Sequence, residues 1–240
     1  MEYSPRFVFP RLTSFIKKLI IILLAAYVLE LILMNFAGIP LFDWLALNAS
    51  NLGVATIWQI FTYVLVDHPS AVMSLLFGLL FIWLILSPFE MLYGSKHTMQ
   101  LCAVGVLSGS LSAVVIHALL SGFSLGPSGL WGSHTIAYAG MAAMAATMKG
   151  RRLSLFGLFS MTSNQLLLLL VGLSLLMFLA SKNLAMLVGS LGAIAGGVWY
   201  VRWISRPRAY KSTRSQGKTT SFKVIQGGQS SNSKPPTWLN

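Results

Sequence analysis

An all-α polytopic membrane protein, with six spanning helices and an interfacial loop between the first two, is the fold class this sequence predicts. Three observations predict it. Of its 240 residues, 55% are hydrophobic and only 9% are charged, whereas a soluble domain carries roughly a quarter charged residues. Six segments reach or approach the run of about 20 apolar residues that a span needs: residues 18–37, 71–88, 98–121, 128–148, 165–181 and 184–204. The basic residues fall almost wholly into alternate connections between those segments.

The first segment follows Arg6, Arg11, Lys17 and Lys18 but lacks a small-residue cleavage site and runs for a full span, so it is read as a helix and not a leader. Glu30 falls inside it, in the half towards its far end. An ionisable group there points to a wet cavity or to the interface. Residues 38–70 are apolar but broken by Gly38, Pro40, Asp43, Asn48, Asn51, Gly53 and Asp67. They predict a loop lying in the membrane interface, with Trp44, Trp58 and Tyr63 as aromatic anchors. Spans two to six follow with short connections, the fifth near the lower length limit. Gly105-x-x-x-Gly109 on the third and Gly192-x-x-x-Gly196 on the sixth form small-residue stripes that let helices approach closely.

Six spans place both termini on one side. Four basic residues precede span one, Lys96 lies between spans two and three, Lys149, Arg151 and Arg152 between four and five, and eight more run from Arg202 onward. Only Lys182 lies opposite, so both termini are expected in the cytoplasm. The organisation is then a basic N-terminus (1–17), a membrane domain (18–205) and a basic tail (206–240) whose Ser/Gly/Pro-rich, acid-free composition predicts disorder. The net charge of +12 is first a topology signal, and anionic membrane lipids are its expected secondary partner. The tail has no aromatic-interleaved basic module, so nucleic acid is not an expected partner. Cys102, the single cysteine, excludes an intrachain disulfide. No residue spacing suggests a metal or other cofactor; Asp67-His68 lacks further ligands nearby. Asn48-Ala49-Ser50 is a glycosylation sequon on the expected outer side.

Gly126-Pro127-Ser128-Gly129 places a serine at the expected outer mouth of span four. The flanking glycines remove side chains and leave first-turn N–H groups free to face a developing oxyanion. Small residues of this kind also serve plain helix packing. The order of features goes further: Trp58-Gln59-x-x-Thr62-Tyr63 before span two, Glu90-x-x-x-Gly94 at its end, Gly126-x-Ser128-Gly129 at span four and Gly192-x-x-x-Gly196 on span six. This arrangement resembles the rhomboid family of intramembrane serine proteases and their inactive relatives, over about residues 15 to 205.

The resemblance implies a serine nucleophile on the fourth helix, a histidine base on the sixth, three residues before the first glycine of G-x-x-x-G, and oxyanion donors on the second. The nucleophile position is Ser128. The base position is Gly189, with Val188 and Ser190 on either side. Counting back from Glu90, the donor positions are Ser74 and Gly78, and Gly78 offers no side chain. An aromatic expected four residues after the serine is Gly132 here. Pro127 precedes the serine, as at the corresponding place in inactive relatives.

A serine hydroxyl is a poor nucleophile until a base takes its proton. Soluble serine proteases that lose one triad member keep only residual catalysis, roughly 10³–10⁴ over water. The sequence therefore points to a catalytically impaired pseudoprotease that binds transmembrane segments of partner proteins. The alternative is an active endopeptidase in which Ser128 is served by a substitute base. His117 and His68 share its expected depth; His134, six residues further along the same expected helix, would face about 240° away. Nothing in the sequence sets the oligomeric state.

Overall fold

The computed structural model describes residues 10–48, 53, 56–68, 72–120, 129–148, 152–155 and 159–205. The expected tail and the first nine residues lie outside that set, as do Gly126 and Ser128. Helix α1 (Ser14–Ile32) continues into a π-helical turn, Leu33–Ala37, closed by left-handed Gly38. Then come short α2 (Leu41–Leu45), β1 (Leu47–Asn48), α3 (Gln59–Thr62) and a 3-10 turn, Tyr63–Leu65. The body follows as α4 (Val72–Tyr93), α5 (Ser95–Leu119), β2 (Gly129–Leu130), α6 (His134–Thr147), the hairpin β3 (Arg152–Leu155) and β4 (Phe159–Thr162), α7 (Ser163–Ser181) and α8 (Leu184–Ile204).

Among the described residues, five helices are long and apolar enough to cross a membrane: α1 with its π-turn, α4, α5, α7 and α8. The expected fourth span is the exception. Its helix starts at His134, six residues later than the apolar run suggested, and has 14 residues, about 21 Å of rise against a hydrocarbon core of about 30 Å. Residues 135–145 are all buried, so α6 is a core helix wrapped by the others. An apolar run does not distinguish a buried helix from a lipid-facing one.

The spanning helices carry large apolar side chains on their outer faces, such as Phe77, Leu168, Leu179 and Trp199, as a lipid solvent permits. Their inner faces close through small residues. A Cβ on Gly105 would stand 2.5 Å from the Ala139 Cβ, and one on Gly197 would stand 2.3 Å from the Ala139 carbonyl oxygen. Gly192 and Gly196 meet Ser112 and Ser108 of α5, and Ser112 Oγ donates to the Val188 carbonyl at 3.0 Å. The α8 stripe therefore seats on α5. The close approach of α8 to α6 is made by Gly197 and not by the stripe.

Polar residues mark the joints. Glu90, buried near the end of α4, accepts from the backbone N–H groups of Phe15 and Ile16 at 3.3 Å each and from the hydroxyls of Thr13 and Ser95. One carboxylate thus holds the open N-terminus of α1 to the α4–α5 turn, where Gly94 takes φ +83°. Thr162 and Gln165 form a reciprocal capping box on α7. The described parts of the 38–68 connection are more folded than a surface loop. Trp44 and Trp58 are exposed, but Tyr63 is completely buried and does not act as an interface anchor. Its hydroxyl donates to the Val106 carbonyl at 3.0 Å and lies 3.1 Å from Thr135 Oγ1. An aromatic ring with one polar tip suits either setting, and only tertiary packing decides between them.

Candidate functional site at the mouth of the buried helix

Residues 129–133 lead into α6 across the end of the bundle. Gly129 and Leu130 pair antiparallel with Asn48 and Leu47. Asn183 Nδ2 donates to the Gly129 carbonyl at 2.8 Å, while its Oδ1 accepts from Met186 N at 3.2 Å and caps α8. Gly132 takes φ +91°, a conformation that suits glycine, and its N–H donates to the Tyr63 and Val66 carbonyls. Ser133 is the N-cap and His134 the first helical residue. The serine expected at a helix mouth is therefore upstream of the helix in sequence. His134 opens α6 and residues 129–133 before it are not helical, so the 240° offset counted along one helix from Ser128 does not apply.

Gly189, the base position, is buried on α8. A Cβ there would lie 2.8 and 3.0 Å from the two methyls of Leu130 and 3.5 Å from the Gly109 carbonyl oxygen. Leu130 is itself fully buried, so the volume that a side chain at 189 would enter already holds leucine. Gly109 lies at the same junction, where a Cβ would meet the Gly189 carbonyl, the Tyr63 hydroxyl and Thr135 within 3.3 Å. Gly78, on α4, faces α6: its Cβ would stand 3.0 Å from Ser133 Oγ. Ser74, one turn earlier, is exposed. Of the proposed substitute bases, His68 is exposed with its ring 5.8 Å from that of Phe42, and His117 is half-buried near the end of α5.

Three groups that the sequence did not connect meet beside this loop. Asp67 is 8% exposed, accepts the His68 N–H at 3.0 Å, and has both carboxylate oxygens 3.5 Å from the point a Gly132 Cβ would occupy. His134 Nδ1 is 2.9 Å from that same point, and its Nε2 is buried without a hydrogen-bond partner among the described residues. Glu30, on α1, is the third. Burial pushes the Asp67 carboxyl up to about 6, the His68 N–H opposing the shift. Burial also raises the Tyr63 phenol well above its ordinary value. In sequence, Glu30 and Asp67 stood out only as isolated acids. Their meeting depends on the path of the 38–68 connection, which has no periodicity to read.

The family model for the Rhomboid domain matches residues 54–207. No curated protein matches the chain.

Proposed function

The chain belongs to the rhomboid family, and from that premise we propose that it is a catalytically impaired pseudoprotease that binds transmembrane segments of partner proteins without cutting them. The observation that carries this reading is the filling of the base position: Gly189 has no side chain, and Leu130 methyls occupy the space in front of it. A serine at the mouth of α6 would have no imidazole reaching it from α8, and general-base activation needs such a group within hydrogen-bond reach. The helix start supports the same conclusion. Counted from there, the position followed by an aromatic four residues later is His134, with Tyr138 at a ring separation of 6.2 Å. Gly78, at a donor position, abuts its neighbour Ser133. On that register a histidine stands where the family's nucleophile would be. Its Nε2 has no hydrogen-bond partner among the described residues.

By analogy with substrate entry in the family, α4 and α7 form the surface for a partner helix. Both present large apolar side chains outward, among them Phe77 on α4 and Leu168 and Leu176 on α7. The membrane provides no hydrophobic drive between helices, so recognition rests on shape, small residues and polar contacts. The test is co-reconstitution with a single-span protein tagged at both ends, followed by capture on this chain. Intact partner, recovered above the level retained by an unrelated multi-span protein, is the expected result. Paired fragments cut within the span, lost in Ser128→Ala, would refute it.

A further inference from the structure

Glu30 lies on α1 just before the π-helical turn and is fully buried; neither carboxylate oxygen has a hydrogen-bond partner among the described residues. Asp67 acts on Glu30 electrostatically through both its own backbone N–H and its carboxylate. Asp67 in turn converges with His134 Nδ1 over Gly132. Tyr27, one turn before Glu30 and 2% exposed, faces both carboxylates. The titratable groups at this cluster are Tyr27 and Glu30 from α1, Asp67 and His68 from the segment before α4, and His134 from α6. None of them is a lysine or arginine. Two neighbouring carboxylates in a membrane body are costly unless each takes a proton or a cation meets them.

We propose that the Glu30–Asp67 pair receives the ammonium or guanidinium of a lysine or arginine carried near one end of a partner's transmembrane segment. This deepens the pseudoprotease reading and rests on it. A basic residue within a span carries its own desolvation cost, so pairing relieves both proteins at once. The long apolar stem of lysine or arginine lets the head reach inward from a lipid-facing backbone. Exposed His68, next to Asp67, marks the rim of the cluster, and the π-turn after Glu30 is a backbone irregularity of the kind found at functional sites.

The experiment uses the full chain in nanodiscs and a set of single-span peptides, identical except for one residue that is Lys, Arg, Gln, Leu or Glu in the outer third. Lys and Arg peptides should be captured about tenfold more tightly than Leu or Gln, the lower range for a buried charge pair. Glu30→Gln with Asp67→Asn should abolish that preference while leaving capture of the Leu peptide unchanged. In the unmodified chain, a lipid-soluble carbodiimide should join the Lys peptide to Glu30 or Asp67, as mapped by mass spectrometry, and this readout does not depend on the variants folding. Equal capture of all five peptides, or amide formation at other carboxyls only, would overturn the cation site and leave segment binding standing. Failure to capture any peptide would remove both.

Discussion

Gly189 compresses the functional question into one position, because what matters there is the neighbour as much as the missing side chain. Restoring the residue type is expected to fail. Gly189→His must displace Leu130, and overpacking a closed junction costs about 1–3 kcal/mol, so the variant should melt earlier in detergent and gain no peptidase activity. Gly189→His combined with Leu130→Ala should recover part of the lost stability. Asp67 gives a second residue-scale prediction. Its folded pKa, about 6, lies above the unfolded value of about 3.9. Its contribution to stability is therefore complete below about pH 4 and is lost as pH rises through about 6. Asp67→Asn should stabilise the empty protein at pH 7 by on the order of 2–3 kcal/mol and flatten its melting temperature between pH 4 and 7. The identity of position 189 was readable in the sequence by counting from Gly192. The occupant of its space was not, because Leu130 reaches it through a two-residue strand pairing with Leu47, a contact that leaves no periodic trace.

At the scale of elements, Glu90 and the α8 glycines carry the architecture. Glu90→Ala leaves two backbone N–H groups of α1 and two hydroxyls without their acceptor. Hydrogen bonds to a charged group contribute about 1.5–3 kcal/mol each. Thermal unfolding should fall by more than for any single exposed apolar substitution on α1, such as Ile21→Ala. Gly192→Val puts a branched side chain where a Cβ already stands 2.0 Å from Ser112 Oγ, and should separate α8 from α5, read as loss of a disulfide engineered across that pair. Five spanning helices were legible from hydropathy within a few residues, since each is a long apolar run between charges or turns. The start of α6 was not. Gly126–Gly129 carries the composition of a helix mouth, yet β2 and the left-handed Gly132 intervene before the helix begins.

For the whole molecule, the protein is an integral membrane rhomboid, and its basic residues predict that both ends of the chain lie on the cytoplasmic face. Reporters fused before Met1 and after Asn240 should show the same sidedness in intact vesicles, which requires the short α6 to cross along with the five longer helices; opposite sidedness would contradict the charge-based orientation. The family could be recognised because its scaffold is written in glycine spacing and one acidic joint, features that do not depend on the catalytic residues. The Glu30–Asp67–His134 neighbourhood is a property of the assembled bundle, made from three segments far apart in sequence, so no local pattern announced it. A fluorophosphonate probe on the purified, folded protein, run beside an active rhomboid, distinguishes a retained scaffold without peptidase activity from a working enzyme. Labelling of the active enzyme is expected, with no labelling of this chain above its Ser128→Ala variant, at Ser128 or at Ser133. Stoichiometric labelling of Ser128, abolished by Ser128→Ala, would contradict the pseudoprotease reading.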